Sequence, residues 1–389
     1  MRSILTAIVL LMCIPINAQM DSLLFVREYH IDSIDNGTLA VEVDNTTFFK
    51  DNEYDGTQVT GYTLPGLWIQ PKVTYQANGN IKLEAGVHSL IYYGKRKYPN
   101  AAYQDIGAWK GSDYFEGTHL LPFFRANVQM GKMNVVLGDL YGGANHRLIQ
   151  PLYCQELNLT SDPEKGVQVL VDLNRWHLDA WCDWQSFIFK GDTHQESFIF
   201  GGNSEIKVGR KWTIPMQVVV QHRGGEIQVD TAHHGVQTLI NFSLGGRYDT
   251  NVNTSWLKRV IGEAHFVGYL QQSGSLFRSN SGFGAYAQCS LDFTPGIRFT
   301  GSYFRNKDYM SVLGSGHYNC VDAKDKFQIY KNVDLYTAAI EYSRTFGKNF
   351  TFGARGMMYF YNREHGSDTA DFNFGVFMKV NPRFLLKRF

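Results

Sequence analysis

The sequence predicts an all-β fold: a transmembrane antiparallel up-and-down β-barrel of about 16 strands (14–18), with short periplasmic turns and long extracellular loops. Three observations lead there. Apolar and polar residues alternate through many segments, those segments are long, and the links between them are alternately short and long. Alternation with a period of two places successive side chains on opposite faces of a strand. Segments of roughly 10–14 residues exceed the roughly 5–6 typical of globular strands and suit the roughly 9–11 needed to cross a bilayer at a tilt.

The first clear strand is IKLEAGVHSLIYY (81–93), where Ile81, Leu83, Ala85, Val87 and Ile91 alternate with Lys82, Glu84, Gly86 and His88. In WTIPMQVVVQH (212–222), Trp212, Ile214, Met216, Val218 and Val220 alternate with Thr213, Gln217 and Gln221. In GVQTLINFSLGGR (235–247), Val236, Ile240, Phe242 and Leu244 oppose Gln237, Asn241, Ser243 and Arg247. FGAYAQCSLDF (283–293) sets Phe283, Ala285, Ala287, Cys289, Leu291 and Phe293 against Gly284, Gln288, Ser290 and Asp292. The weakest segments are 133–138, which is short, and 195–208, whose alternation breaks at Gly201–Gly202. In the closing FNFGVFMKVNPRFLLKRF (372–389), Phe372, Phe374, Val376, Met378 and Val380 share one parity; Pro382 interrupts the pattern and Phe389 falls on the polar parity.

Short links lie at 78–80, 131–132, 174–175, 209–210, 294–296 and 347–348, and 249–255 is intermediate. Longer ones lie at 51–62, 94–117, 139–165, 225–234, 271–281, 307–331 and 363–370. Starting upward from the periplasm near Leu39, every short turn falls on the periplasmic side. Trp212, Phe283 with Phe293, Tyr336 with Tyr342 and Phe350 with Phe360 bracket apolar rows, as aromatic girdles at lipid–water boundaries do.

Bulk composition constrains the partners. Lys plus Arg total 37 and Asp plus Glu total 36, a net charge of +1 that gives no reason to expect nucleic acid. The 27 Phe, 22 Tyr and 7 Trp make 14% of the chain, whereas mean hydropathy is only −0.26. Arg2 precedes an apolar run ending in Asn17-Ala18-Gln19, the pattern of a secretory signal cut after Ala18 or Gln19. The chain therefore divides into a signal peptide (1–19), a short periplasmic segment (20–37) and the barrel (38–389). Cys182 and Cys289 fall on apolar parity, whereas Cys154 and Cys320 fall in loops and could pair.

Residues of inward parity are the candidates for function. On the strands they include Glu84, His88, Arg125, Gln129, Asp179, Asp183, Arg223, Arg247, Glu263, Asp292, Arg298 and Arg355. They read either as a hydrated lumen satisfied by water and cross-barrel pairs or as rings that select solutes. The loop DLYGGANHRLIQPLYCQELNLTSDPEKG (139–166) adds Asp139, His146, Arg147, Glu156, Asp162 and Glu164. DNEYDG (51–56) mimics the start of a calcium loop, but its twelfth position is Tyr62, which excludes an EF-hand. His233–His234 reads as a solvated pair. Barrel enzymes need a nucleophile beside a base. Asn145-His146 and the His177, Asp179 and Asp183 face are the nearest approach, with no matching serine motif.

On this evidence the chain resembles porin-like bacterial outer-membrane β-barrels over residues 38–389, a resemblance of architecture. The loop 139–165 is similar to the constriction loop of general porins, with an extracellular flap as the equal alternative, and the terminal Phe resembles the C-terminal signal that barrel assembly machinery reads. The resemblance implies passive diffusion of small hydrophilic solutes through a lumen narrowed by that loop, with no enzyme activity and no cofactor or metal. The expected partners are outer-membrane lipid, the assembly machinery during insertion, and small solutes or other envelope proteins. The alternative is a non-conducting barrel subunit of an assembly, secretion or nutrient-import complex. A lipid-acting barrel enzyme ranks below both.

Overall fold

The computed structural model describes residues 20–55, 58–94, 118–187, 195–225, 235–252, 254–322, 329–347, 349–363 and 369–389. The signal segment 1–19 and the His233–His234 pair lie outside them. Strand segments are β1 (Thr38–Asp55), β2 (Thr60–Asn78), β3 (Ile81–Tyr92), β4 (Thr118–Met130), β5 (Met133–Asp139), β6 (Lys165–Asp172), β7 (Trp176–Ser186) and β8 (Ser197–Val208). They continue as β9 (Trp212–Arg223), β10 (Gln237–Asn251), β11 (Leu257–Ser273), β12 (Ser281–Phe293), β13 (Ile297–Lys307), β14 (Asn332–Phe346), β15 (Phe350–Arg363), β16 (Thr369–Val380) and β17 (Arg383–Arg388).

Each strand pairs antiparallel with its chain neighbours, and β1 closes the cylinder against β16 from Thr46↔Lys379 to Glu53↔Phe372. Below Pro382, β17 continues the same stave against the start of β1, so 17 segments make a closed 16-strand barrel. The break in the closing pattern has a local cause: Pro382 cannot donate to a ladder, and a register shift at Leu39/Ala40 resets the pairing beyond it. A closed sheet has no free edge, which lets it stand in lipid.

Parity sets the two faces. Phe372, Phe374, Val376 and Met378 are 41–48% exposed, whereas Asp371, Asn373 and Phe377 are at most 4% exposed. The first face meets acyl chains and the second meets the lumen. Both weak segments are full strands, β5 and β8. Gly201 interrupts the β8 alternation because Trp181, opposite it on β7, lays its ring across the position; a Cβ there would sit 1.9 Å from that ring. The first outward link is shorter than its sequence suggests, since β1 reaches Asp55 and β2 begins at Thr60.

Among the described residues, three segments fill the lumen. Loop 140–164 folds inward with Leu152, Tyr153, Leu157 and Leu159 buried. The stretch 308–322 of the loop before β14 also folds inward, burying Tyr309, Met310, Val312, Leu313, Tyr318 and Cys320. The two loops meet: Cys154 N donates to Leu313 O (2.9 Å), and Tyr309 OH and Ser311 Oγ donate to Pro151 O (3.0 and 2.6 Å). The third is the stretch 20–31, read from sequence as periplasmic. It runs inside the barrel from the helical turn α1 (Met20–Leu24), with Met20 and Leu24 buried against Gly353.

Polar groups of a segment inside a barrel still need partners, and the inward amides supply them. Asn241 donates to Met310 O (2.7 Å) and accepts from Val312 N (2.6 Å). Gln217 accepts from Ile149 N and donates to Arg147 O, both at 3.0 Å. Asn127 and Asn134 donate to Tyr29 O (2.7 and 3.2 Å), and Gln129 accepts from Ile31 N (2.8 Å). Much of the lumen's polar lining is therefore docking surface for chain rather than for water. Cys154 and Cys320 form no disulfide.

Candidate active site

The sequence candidates separate into charge networks. Glu84 sits between Lys72 (3.0 Å) and Arg125 (2.9 Å), and Arg125 also donates to the carbonyls of Asp139 and Leu140. Asp139 pairs with Lys165 at 2.7 Å, and Asp183 accepts from Lys165 N at 2.8 Å. Asp292 binds Arg298 through two bonds (2.5 and 2.7 Å). Arg247 meets Asp249 (3.4 Å), Glu263 accepts from Gln288 (3.1 Å), and Arg147 meets Glu205 (3.4 Å). Arg355 is clamped by Glu341 and by Asp21 of α1 (2.7 Å). Glu156 takes Lys50 and Tyr62, while Asp162 takes His119. Arg223 is buried on β9, and His88 bonds Gln70 (3.2 Å).

His146 forms the tightest of these networks. It stacks, with ring centroids 3.5 Å apart, on Trp181, whose ring takes the space that Gly201 leaves. Its Nδ1 lies 2.7 Å from Asp179 and its Nε2 lies 2.7 Å from Glu164. With carboxylates on both nitrogens, both must donate, so the ring is an imidazolium. Burial works against that charge, but Glu164 and Asp179 outweigh it and push the pKa up to about 10. An imidazolium with both protons committed cannot act as a base. His177, the other sequence candidate, bonds Asp172 (2.8 Å), as does Tyr29 OH (2.5 Å). Asp179 instead serves His146 and Asp183 serves Lys165, so His177, Asp179 and Asp183 form no cluster.

A different histidine has the geometry of a base. In loop 308–331, Ser315 caps the single 3-10 turn Gly316–Tyr318. Its Oγ lies 2.7 Å from His317 Nδ1, and His317 Nε2 lies 3.4 Å from Asp371 on β16. Asp371 is held in turn by Asp55 N (2.7 Å) and Tyr361 OH (3.2 Å). The imidazole stacks on Tyr359 at 3.9 Å and meets Tyr54 edge-on at 4.5 Å. Burial lowers its pKa and Asp371 only partly offsets this, so the ring is neutral at pH 7. Nε2 stands 3.4 Å from the Asp371 carboxylate without a closed hydrogen bond, and with its proton on that side Nδ1 is left to take the serine proton. Serine, histidine and aspartate in line are the parts of a hydroxyl nucleophile, its base and the group that orients the base.

Ser315 opens onto a recess of about 50 Å³ lined by apolar Phe25, Leu159, Met357 and Phe377, with Lys50 and Arg355 at its wall. Sequence reasoning passed over Ser315 and His317 because their loop has no periodicity. A Ser-x-His pair alone is weak, and its aspartate lies 54 residues downstream of His317, a separation read from positions 317 and 371. Asp371 did carry a signal, since it opposes the apolar parity of Phe372 and Phe374.

The family described as lipid A 3′-O-deacylase-type matches residues 31–389, and the chain belongs to that family. No curated protein matches the chain. Among solved structures, the outer-membrane protein OpdK from Pseudomonas aeruginosa is similar over 90% of this chain and 100% of its own, with 8% identity and a TM-score of 0.51. OprD from the same organism is similar over 92% of this chain and 98% of its own, with 11% identity and a TM-score of 0.48. The likeness to OpdK shows the fold, a closed antiparallel β-barrel of the outer-membrane type. The family match also corrects one expectation: a barrel without enzyme activity is not the reading its family supports.

Proposed function

We propose that this protein is an outer-membrane acyl-ester hydrolase that removes an ester-linked acyl chain from a lipid A-type glycolipid. The observation that carries the proposal is the line Ser315–His317–Asp371 beside an apolar recess; the family supplies the reaction class. Ser315 Oγ attacks the acyl carbonyl while its proton passes to His317 Nδ1. The tetrahedral oxyanion collapses, the sugar oxygen leaves with that proton, and an acyl-serine remains. Water, deprotonated by His317, then releases the fatty acid and restores the serine. Asp371 holds the ring tautomer and stabilises the imidazolium formed in each step. The apolar lining favours the acyl chain by excluding water from it.

The test is mass spectrometry of lipid A after incubation with the purified barrel in detergent. Loss of one acyl chain with wild type, and none with Ser315→Ala, is expected. Deacylation that persists in Ser315→Ala refutes the assigned nucleophile, and intact lipid A with folded wild type refutes the activity.

A second reading, a solute channel, is favoured by a cavity of about 570 Å³ in the part of the lumen lined by Arg247, Asp249, Arg259, Glu263 and Arg298. Stepwise conductance in planar bilayers that rises when residues 143–163 are deleted would support it; silence in both forms would remove it.

A further inference from the structure

A second recess lies on the other side of Phe25 and Tyr153, which line both it and the Ser315 recess. It holds about 80 Å³ and is lined by Arg27, Trp68, Gln70, His88, Asp162 and Glu164, the last with its oxygens committed to His146 Nε2 and Gly143 N. Trp68, Gln70, His88 and Asp162 are each at least nine-tenths buried. Each also keeps one polar atom without a hydrogen-bond partner: Trp68 Nε1, Gln70 Oε1, His88 Nε2 and Asp162 Oδ2. Asn158 Nδ2, on a half-buried residue of the same lining, is a fifth; buried polar atoms are normally satisfied, and this cluster around one gap marks it as built for an occupant.

The chemistry of that occupant follows from the atoms. Gln70 Nε2 lies 3.2 Å from His88 Nδ1, and an amide N–H can only donate, so Nδ1 accepts and Nε2 carries the proton. His88 Nε2–H and Trp68 Nε1–H are therefore donors. Arg27, on the inward segment 20–31, holds its guanidinium 5.2 Å from the Trp68 ring centroid. Among the described residues the guanidinium has neither ion pair nor hydrogen bond; Arg27 is tied to Asn145 only through its backbone N and O. Burial lowers its pKa, a cost that a bound anion would relieve. Against these donors stand two acceptors, Gln70 Oε1 and Asp162 Oδ2, the latter on a carboxylate whose other oxygen meets His119.

We propose that this recess binds a small solute with a carboxylate at one end and a hydroxyl or ammonium donor at the other. Arg27, Trp68 and His88 hold the carboxylate, and Gln70 and Asp162 accept from the donor. Donors and acceptors share one gap, so a short hydroxy acid or amino acid can reach both sets at once. This site is independent of the hydrolase reading.

Isothermal titration of the purified barrel with lactate, glycine and inorganic phosphate tests it, alongside a crystal structure grown in the ligand that binds. Saturable binding of lactate or glycine is expected, weakened at least tenfold by Arg27→Met and several-fold by Trp68→Phe, which keeps the ring and removes the donor. Ser315→Ala, in the adjoining recess, should leave the affinity within twofold. Phosphate binding alone would overturn the assigned ligand class. No saturable binding, with only ordered waters on the four atoms, would overturn the site.

Discussion

Two histidines in the lumen of this barrel are both buried, both stacked on an aromatic ring and both faced by a carboxylate, yet their chemistry is opposite. His146 has carboxylates on both nitrogens and is an imidazolium up to about pH 10. His317 has a carboxylate at one nitrogen and a serine hydroxyl at the other, and burial keeps it neutral. The difference lies in the second partner. A second carboxylate fixes the proton and makes a structural cross-link between loop 140–164 and the wall. A hydroxyl leaves a lone pair facing a proton that can be taken. Proximity to an aspartate therefore does not identify a catalytic histidine; the group on the other nitrogen decides.

That comparison can be broken by exchanging what each ring can do. The largest effect is expected at His317: His317→Gln should reduce ester hydrolysis at least about 10³-fold, as removing the base of such a line does. Lipid A turnover and melting in detergent, measured on the same sample, check that the loss is chemical. His146→Gln should do the reverse. It strands Asp179 and Glu164 as buried charges, so stability should fall by about 3–5 kcal/mol while the chemical step of the surviving folded fraction stays near wild type. Denaturant unfolding in detergent reads the first quantity and single-turnover hydrolysis the second.

Gly201→Ala is a smaller probe of the His146 site. The added Cβ collides with the Trp181 ring, which must shift with the stacked imidazole, and overpacking of this kind costs about 1–3 kcal/mol. A destabilisation within the error of the unfolding measurement would show that the stack is not tightly held.

The smallest effects are those of pH, and they run in opposite directions. The folded pKa of His146 is raised above its unfolded value of about 6.5, so its contribution to stability is complete below pH 6.5 and is lost as pH rises toward 10. His317 must be neutral to accept a proton, and its pKa is lowered. Hydrolysis by kcat/KM should therefore hold through neutral pH and fall only below about 6.5, the ordinary histidine value. A rate that instead rises with the deprotonation of His146 near pH 10 would reverse the assignment.

Why the barrel was legible and the site was not has a physical explanation. Lipid on one side and a packed or polar interior on the other impose a period-two pattern that survives in β3, β9, β12 and β16 even without context. Where the pattern failed, the cause was a local demand: Gly201 yields space to Trp181, and Pro382 starts a second pairing segment. The mixed apolar and charged residues of loop 140–164 fit an inward fold and an extracellular flap equally, so its inward folding was one of two readings. The stretches 308–322 and 20–31 carry no periodic signal, so their place in the lumen was hidden, and Ser315, His317 and Arg27 with it. The inward amides were legible as lumen-facing, but that they hold chain rather than water appears only once those segments are in place.

The central claim, that Ser315 is a nucleophile activated by His317, is tested most directly by treating the purified barrel with a serine-reactive fluorophosphonate and mapping the adduct by peptide mass spectrometry. A single adduct on Ser315, lost in His317→Gln while that variant remains folded, is the predicted result. An unlabelled Ser315 in wild-type protein that removes an acyl chain from lipid A would contradict it.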